Sequence, residues 1–497
     1  MRKKIIAQLL AFVMAAALLS GCSNGAQQTE TTTEKQEEAV TTEEAATLED
    51  AGTSEEAVTT EDSSEAESTG DTADSYVCQL IGTVTDGGQV VSALTIDFGE
   101  AKKVTGVDLD TFTVHATAST AAFREGTELE SYGDYDIDRT IVKTEDGQKV
   151  TLYFNMGEGA TLAYTSGSRN YPADLTYTIT QNKPVTLTAA DGTVLDEAYM
   201  AAFTCDNTVQ DPETAKFTAV TVEDGINYQF YDAGSDKLVV WFHGNGEGDL
   251  MQSGNNVAQM LANRGTVAWA TDEFQTILGG ASVMAFQAPD TWYYAQKDGL
   301  LDKAAEEILA AAEEHGISPD KIIASGCSAG GYMTTRMIIA HPDLFQAAII
   351  NCPAYNVATD RGGETPTDEE LAAVKESGVP IWLVQGRTDS VVTTEECSQR
   401  LFNILTEGAE ITETAVSQEL EQYSDFTTYE TADGKYKLSL YDTTEEDKLR
   451  FAEDYDQNGE WEEVQYSSHF SWIYSLLNNP QAADGTRIVD WAAGFVK

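Results

Sequence analysis

The sequence predicts two folded parts, an all-β sandwich followed by an α/β part whose mostly parallel sheet carries helices on both faces. Residues 76–210 contain short alternating runs separated by Asp-Gly and Gly-Gly turn signals, with no long helical period. Residues 217–497 instead alternate continuous apolar strands with helical segments, the pattern of a parallel sheet. The length of 497 residues also suits two or three domains better than one core.

The first 22 residues have the pattern of an export signal. Three basic residues precede an apolar stretch at 5–19, which leads into Leu-Ser-Gly and then Cys22. The small residues before Cys22 resemble the lipobox of bacterial lipoproteins, which implies that Cys22 is acylated and becomes the mature N-terminus. An uncleaved transmembrane anchor is the alternative, but the apolar stretch is short for a span. We therefore expect an extracytoplasmic protein held at the cell surface by lipid.

Residues 23–75 are predicted to be a disordered acidic linker. They hold sixteen Asp or Glu against one Lys, and they contain no aromatic residue. Such a segment cannot bury enough apolar surface to offset the entropy of ordering, so we expect a spacer between membrane and folded part. The formal net charge of the whole chain is −54. This acidity argues against nucleic acid as a partner, because that binding depends on Lys and Arg at phosphates.

The cysteines do not form a recognisable framework. With Cys22 assigned to lipid, an odd number remains, so at least one thiol is free. The wide spacing shows neither a disulfide scaffold nor a C-x-x-C metal pair. Buried, unpaired thiols are the favoured interpretation, and no metal is predicted. The disulfide status stays open for Cys78, Cys205, Cys327, Cys352 and Cys397.

In the first folded part, which extends over residues 76–210, turn pairs separate the predicted strands. Its one histidine, His115, falls on a strand and is more often a structural residue than a ligand. Strands are predicted at 90–98, 111–118, 149–154, 175–180 and 185–188.

The second part, residues 217–497, begins with a hairpin predicted at 217–222 and 227–231. Its strands and helices then alternate, which indicates a parallel sheet. Helices are predicted at 257–263, 300–315 and 394–405. Strands are predicted at 237–242, 266–270, 283–287, 321–325, 347–351, 380–385 and 436–441.

The strand at 321–325 runs into a G-x-S-x-G pattern centred on Ser328. A sharp turn from strand to helix needs residues without side chains at Gly326 and Gly330, and it lifts the serine hydroxyl clear of the sheet. The amide of Ala329 then lies at a helix N-terminus, which favours an oxyanion. Taken alone, the pattern is explained equally well by a glycine-rich turn that carries an incidental serine.

A glycine-rich turn also follows the strand at 237–242. It has the sequence His-Gly-Asn-Gly, and a turn of this kind can direct a backbone N–H at the oxyanion that forms on the nucleophile's substrate. Asn245 is the predicted donor and Gly244 is the alternate. A plain turn between strand and helix is the competing interpretation.

Two further residues complete a candidate triad. Asp389 follows the strand at 380–385, where a carboxylate can hold an imidazole in the required tautomer. His469 is the only histidine after Asp389, and the chain order expected is Ser, Asp, His. His315 ends a predicted helix and His341 lies in a loop, so both fit this role less well.

Together these motifs resemble the α/β-hydrolase fold. The segment at 241–248, the Gly-Cys-Ser-Ala-Gly elbow, the Gly-x-x-Asp turn and the Ser-His-Phe-Ser-Trp ending are most similar to secreted esterases of the dienelactone-hydrolase, polyhydroxyalkanoate-depolymerase and prolyl-oligopeptidase type. The β part that precedes them resembles the immunoglobulin-like N-terminal domain of some bacterial extracellular esterases.

The resemblance implies serine-hydrolase chemistry on an ester substrate, either a small molecule or a polymer-linked ester, with no cofactor. In this chemistry Ser328 is the nucleophile, His469 the general base and then acid, and Asp389 the residue that orients it, while the amides of Ala329 and Asn245 form the oxyanion hole. Two alternatives stay open: a serine peptidase of the prolyl-oligopeptidase type, and a non-catalytic polymer-binding lipoprotein.

The long segment at 412–465 is predicted to form a cap or hairpin beside the site. Within it Asp454, Asp456 and Asn458 match the first half of a D-x-D-x-N-G calcium loop, but Gln465 stands where a bidentate Glu is expected. An Asn-Gly hairpin turn explains this sequence more simply.

Four aromatic residues are predicted near the mouth of the site, where they could line an acyl or aromatic pocket. Core packing is the alternative for each of Trp292, Tyr293, Tyr355 and Trp472.

Overall fold

The computed structural model describes residues 74–497 and confirms the predicted fold class, a β sandwich followed by an α/β domain. The predicted export signal, the acylated Cys22 and the linker up to residue 73 lie outside the described residues. Among the described helices, none has both the length and the apolar character that a membrane crossing requires.

The first domain, here called the β domain, consists of strands and one short helix, α1 (Ala121–Arg124). Its strands are β1 (Ser75–Thr85), β2 (Gly88–Asp97), β3 (Lys102–Thr105), β4 (Phe112–Ser119), β5 (Ser131–Tyr132), β6 (Tyr135–Asp138), β7 (Ile141–Glu145), β8 (Lys149–Phe154), β9 (Leu162–Thr165), β10 (Asn170–Pro172), β11 (Asp174–Gln181), β12 (Val185–Ala189), β13 (Val194–Tyr199) and β14 (Ala202–Gln210).

The largest sheet of the β domain has the order β14-β1-β2-β8-β7, and three smaller sheets accompany it. Alternation in the sequence determines which side chains enter the core. In β4, for example, Phe112, Val114 and Ala116 are buried while the residues between them face outward. The hairpin of β9 and β10 forms one of the smaller sheets together with β5, and Asn170 pairs with Tyr164 across it.

The second domain, here called the α/β domain, alternates strands with helices. Its helices are α2 (Ala258–Leu261), α3 (Asp272–Leu278), α4 (Leu300–His315), α5 (Ala329–Ala340), α6 (Asp368–Ser377), α7 (Ser398–Leu405), α8 (Trp472–Leu476) and α9 (Ile488–Ala493). Its strands are β15 (Thr218–Val220), β16 (Tyr228–Tyr231), β17 (Leu238–Phe242), β18 (Ser282–Phe286), β19 (Ile322–Cys327), β20 (Ala347–Asn351), β21 (Ile381–Gly386), β22 (Ile411–Val416), β23 (Phe426–Thr431), β24 (Tyr436–Tyr441), β25 (Lys448–Glu453) and β26 (Glu462–Ser467).

One sheet of ten strands organises the α/β domain, in the order β15-β16-β18-β17-β19-β20-β21-β24-β23-β22. The six central strands, from β18 to β24, are parallel. At the edges β16 and β23 run antiparallel to them, and the outermost strands β15 and β22 pair antiparallel with β16 and β23. Every residue of β17, β19 and β21 is buried, because apolar clusters cover both faces of the sheet. Parallel strands end at a common edge, which brings the loops after β17, β19 and β21 together.

Three sequence expectations need correction here. The strand expected at 266–270 is a buried 3₁₀ turn, Val267–Ala270, since a short apolar run cannot by itself distinguish a strand from a buried helical turn. The helix expected at 257–263 covers only α2. Of the cap or hairpin predicted at 412–465, the cap is not formed, because β22, β23 and β24 extend the central sheet, whereas β25 and β26 form the hairpin.

Candidate active site

Ser328 occupies a strained turn between β19 and α5. Its backbone has φ 55° and ψ −117°, a conformation that residues other than glycine rarely adopt. A Cβ at Gly326 would lie 2.4 Å from the carbonyl oxygen of Gly330, and one at Gly330 would lie 1.9 Å from the carbonyl oxygen of Phe242. The two glycines are therefore required by packing, and the turn presents the Ser328 hydroxyl at the edge of the sheet.

The structure brings Ser328, His469 and Asp389 into one hydrogen-bonded line, here called the relay. The distance from Ser328 Oγ to His469 Nε2 is 2.9 Å, and the distance from His469 Nδ1 to Asp389 Oδ2 is 2.9 Å. The carboxylate can only accept, so Nδ1–H donates to it and Nε2 is left to accept from the serine hydroxyl. This is the tautomer in which an imidazole can act as base toward Ser328.

The loop after β21 holds the Asp389 carboxylate in place. Its Oδ1 accepts hydrogen bonds from the backbone N–H groups of Val391 and Val392 at 3.0 and 2.9 Å, and Gln385 Nε2 donates to Oδ2 at 3.2 Å. Asp389 is 3 % exposed. These bonds stabilise a buried carboxylate and point its second oxygen at His469.

The surroundings of His469 act on its pKa in opposite directions. Burial is the largest single influence and disfavours the charged imidazole, but the neighbouring groups, Asp389 first, together outweigh it and raise the pKa of His469 above its ordinary value. Cys352 contributes in the same direction, and its thiol donates to the His469 carbonyl oxygen at 3.3 Å. The ring is thus a stronger base than a free histidine.

Cys352, Asp389 and His469 are also the one group among residues 74–497 whose ligand atoms lie close enough for a metal, within 4.8 Å of one another. Both nitrogens of His469 already take part in the relay. Coordination at either nitrogen would break one of its two hydrogen bonds. The donor set therefore fits a hydrogen-bonded relay better than a resident ion.

The turn after β17 places Gly244 and Asn245 beside the elbow, and both line the same cavity as Ser328. Asn245 begins a short 3₁₀ turn, Asn245–Glu247. Ala329 is the first residue of α5, so its N–H has no partner within the helix and faces the same edge of the sheet. Beneath the turn, Trp292 Nε1–H donates to the His243 carbonyl oxygen at 3.0 Å.

The cavity over Ser328 measures about 100 Å³ and has walls from both domains. The β domain contributes three residues, Tyr164, Ser168 and Asn170, here called the rim. The α/β domain contributes the relay residues Ser328 and His469, an apolar side, and the charged residues Glu247 and Arg361. The apolar side consists of Val357, Val391, Val392, Phe470 and Trp472.

Sequence reasoning identified the relay but not the rim, Glu247 or Arg361. Among the four predicted pocket aromatics, Trp472 and Tyr293 line the cavity. Trp292 and Tyr355 do not, and the prediction for these two was wrong. Both are fully buried in the core: Trp292 bonds to the His243 carbonyl oxygen, and the Tyr355 hydroxyl lies 2.7 Å from that of Thr335.

The candidate calcium residues lie in the turn between β25 and β26. The Asp454 carboxylate accepts hydrogen bonds from the backbone N–H groups of Asn458 and Gly459 at 3.0 and 2.7 Å. Asp456 Oδ1 accepts from Asn155 Nδ2 of the β domain at 2.7 Å. The geometry favours a hairpin turn that docks on the β domain.

The five cysteines of residues 74–497 form no disulfide; Cys205 is half-buried and the others are buried.

Two family descriptions match this chain. Residues 78–196 match the esterase Ig-like N-terminal domain, and residues 256–380 match the prolyl oligopeptidase family. The putative hydrolase MhqD of Bacillus subtilis is 27 % identical over 183 residues, which cover 35 % of this chain and 80 % of that protein.

Two solved structures are similar to this chain, and the first of them shows the same fold. A thermostable esterase is 22 % identical, covers 81 % of this chain and 96 % of its own, and superposes with a TM-score of 0.58. An acetyl xylan esterase from Aspergillus awamori is 15 % identical, covers 46 % of this chain and 93 % of its own, and has a TM-score of 0.33. The chain is a serine hydrolase in which an α/β-hydrolase domain follows an esterase-type immunoglobulin-like domain.

Proposed function

We propose that this enzyme hydrolyses carboxylic esters through an acyl-enzyme formed on Ser328. The observation that supports this proposal is the unbroken relay, with 2.9 Å from Ser328 Oγ to His469 Nε2 and 2.9 Å from His469 Nδ1 to Asp389 Oδ2. A nucleophile, a base and a residue that orients the base are the parts that acyl transfer needs.

In the first half-reaction, Ser328 Oγ attacks the ester carbonyl carbon while its proton passes to His469 Nε2. The resulting imidazolium is stabilised by the Asp389 carboxylate. The oxygen of the tetrahedral intermediate carries the negative charge, and the N–H groups of Ala329 and Asn245 are the proposed donors to it. Collapse of the intermediate breaks the bond to the alcohol, which leaves with the proton from His469.

In the second half-reaction, water replaces the alcohol. His469 Nε2 takes a proton from the water while the water oxygen attacks the acyl carbon. His469 then gives this proton to Ser328 Oγ when the bond between Ser328 and the acyl group breaks. The products are the carboxylic acid and the free enzyme.

The cavity favours a small acyl group. At about 100 Å³ it has room for roughly seven to ten water-sized spheres. Val357, Val391 and Val392 offer a dry surface to the acyl chain, while the polar rim lies toward the outside. We infer a short acyl ester, with the alcohol directed toward the β domain.

Peptide hydrolysis is the second candidate, and the match of residues 256–380 to the prolyl oligopeptidase family supports it. The same relay can cleave esters and amides, so only a comparison of substrates can distinguish an esterase from a peptidase. Comparison of kcat/KM for a short p-nitrophenyl ester with that for a proline-containing peptide p-nitroanilide distinguishes them. A higher value for the peptide would reverse our assignment.

We further propose that lipid on Cys22 anchors the enzyme outside the cytoplasm and that the acidic linker acts as a spacer. Support comes from the lipobox-like sequence and from the charge of residues 23–75. Wild type should fractionate with membranes and Cys22→Ala should not; a wild type found entirely in the soluble fraction would contradict this.

The central test is hydrolysis of p-nitrophenyl acetate and butyrate by wild type and by Ser328→Ala. We expect turnover and covalent labelling by a fluorophosphonate in wild type, and neither in the variant. Asp302→Ala, an exposed site on α4 outside the cavity, is the control and should keep full activity. Labelling of another serine, or unchanged turnover in Ser328→Ala, would overturn the proposal.

A further inference from the structure

Three consecutive residues of the β domain contact the loop that follows β17. Arg169 lies against Asn245, Asn170 Nδ2 donates to the Gly246 carbonyl oxygen at 3.2 Å, and the Tyr171 hydroxyl accepts from the Met251 N–H at 2.9 Å. This loop carries the proposed oxyanion donor. One edge of a separate domain thus holds the loop at three points along its length.

Arg169 makes the most specific of these contacts. It is 5 % exposed, and its guanidinium pairs with Asp290 Oδ1 at 2.8 Å and with the Asp290 carbonyl oxygen at 3.0 Å. When the Asn245 amide is oriented so that its NH₂ group donates to Thr291 Oγ1 at 2.8 Å, its oxygen accepts from Arg169 at 2.9 Å and from Arg361 at 3.3 Å. That orientation gives both ends of the Asn245 amide a partner.

We propose that Arg169 is a positioning residue for catalysis, which acts through the side chain of Asn245 to hold the backbone N–H of Asn245 toward the oxyanion. This inference rests on the proposed function. It assigns the β domain a part in transition-state stabilisation, beyond the walls that it contributes to the cavity.

Arg169 would act by preorganising the oxyanion donor. An oxyanion donor contributes most when its direction is fixed before the reaction, because no energy is then lost in turning it. Asn245 lies in a short 3₁₀ turn between glycines, so its own backbone offers little restraint. The buried guanidinium of Arg169 has a planar set of donors and is held in place by Asp290. It can therefore fix the orientation of the Asn245 side-chain amide.

The close packing around Gly248 supports the same assignment. A Cβ at Gly248 would lie 1.9 Å from the Asp290 carbonyl oxygen and 3.2 Å from Arg169 Nε. There is therefore no room for an added methyl group at Gly248, between the loop, the Asp290 segment and Arg169. A shift of Arg169 must move the loop.

The test compares Arg169→Gln and Arg169→Lys with a matched control, Arg139→Gln. Arg139 is also a buried arginine of the β domain, at 4 % exposure, but its contacts are with Val91, Asn155, Glu158 and Tyr177 and not with the oxyanion loop. Each variant is made in the full chain and measured for kcat, KM, thermal midpoint and the affinity of an arylboronic acid, which forms a tetrahedral adduct with the nucleophile.

We expect Arg169→Gln to lower kcat by about 10- to 100-fold, with KM changed by less than about threefold, because only the tetrahedral state loses a partner. Boronic acid affinity should fall by the same factor as kcat, and Arg169→Lys should recover part of both losses. Arg139→Gln should lower the thermal midpoint and leave kcat unchanged below it. Wild-type kcat and boronate affinity in a folded Arg169→Gln enzyme would overturn the inference.

Asn245→Ala keeps the test decisive if Arg169→Gln does not fold. It removes the receiving amide and leaves the pair of Arg169 with the half-buried Asp290 in place, and we expect the same joint loss of kcat and boronate affinity. If Asn245→Ala behaves as wild type, Arg169 has no such role. A wild type that turns over no ester and takes no fluorophosphonate would instead refute the proposed function, and this inference with it.

Discussion

The relay and the rim share one cavity but are built differently. Ser328 and Asp389 follow β19 and β21 at one edge of the large sheet, and His469 follows β26 of the separate hairpin. Direct hydrogen bonds of 2.9 Å connect the three residues. The rim comes from a hairpin of the other domain, and its three residues are only half-buried. Within the cavity, the groups proposed for bond-making belong to one domain, while the arrangement of the cavity wall depends on how two domains meet.

Asp389→Asn should have the largest effect, because it changes the relay alone. An amide can present its NH₂ group to Nδ1 and so favour the wrong imidazole tautomer, while the fold is kept. We expect kcat to fall by about 10³- to 10⁴-fold with KM nearly unchanged, measured on p-nitrophenyl acetate. A kcat within tenfold of wild type would mean that another group orients His469.

The pH dependence of the same variant checks the cause. Activity requires neutral His469, and Asp389 raises the pKa of that ring, so wild-type kcat/KM should decline as pH falls through a value above 6.5. In Asp389→Asn, burial lowers the pKa of His469 and the Asp389 carboxylate no longer raises it. The decline of the residual activity should therefore move to lower pH. A decline at the same pH in both enzymes would show that Asp389 does not control the ring.

The relay could be predicted from sequence because each of its parts has a local signature. Ser328 lies between two glycines, Asp389 follows an apolar strand, and His469 is the only histidine after it. The fold class was equally accessible, since the change from alternating to continuous apolar runs marks the change from sandwich to parallel sheet. These signals are short-range, and the three residues follow one another along the chain in the expected order Ser, Asp, His.

The rim could not be predicted in this way. Tyr164 and Asn170 precede Ser328 by more than 150 residues, and nothing in their hairpin indicates contact with another domain. The same limit explains Trp292 and Tyr355, which were predicted near the mouth of the site while their contacts place them in the core. Which side chain of a loop faces a cavity depends on packing between elements, and a linear pattern does not record this.

A second prediction concerns the domain interface, where the β25–β26 hairpin meets the β domain. Burial, and then the neighbouring Asp86 carboxylate, raise the pKa of Glu453, with Arg264 opposing and with Tyr455 and Tyr466 nearby. The folded state therefore keeps a proton that the unfolded chain loses above about pH 4.5. Stability should fall as pH rises from there toward the raised pKa of Glu453, and it should level off above that pKa.

Glu453→Gln removes this titration and should make the folded chain more stable than wild type at pH 8 by roughly 1 to 3 kcal/mol, with a smaller gain at pH 5.5. Urea unfolding at the two pH values measures it. Glu463→Gln, an exposed neighbour on β26, is the control and should keep the wild-type pH dependence. Equal pH slopes for Glu453→Gln and wild type would show that this carboxyl does not control the pH dependence of stability.

Tyr164→Ala should have the smallest effect and bears most directly on the division between relay and rim. Tyr164 lines the cavity, with its Cε2 3.8 Å from where a Cβ on Gly246 would lie, and the hydrogen bonds of the relay do not include it. We expect KM for an ester with a bulky alcohol to change about three- to tenfold, and kcat for p-nitrophenyl acetate to stay within twofold of wild type.

Tyr153→Ala provides the comparison for Tyr164→Ala. Tyr153 is another half-buried tyrosine of the β domain, but its hydroxyl donates to Glu145 at 2.9 Å and it lies outside the cavity. A general softening of the β domain would change KM alike in both variants, whereas a wall of the substrate site would change it in Tyr164→Ala alone. If instead kcat for the small ester fell in Tyr164→Ala as steeply as in Asp389→Asn, the rim would belong to the chemistry. The two regions would then have to be treated as one catalytic unit built across the domain boundary.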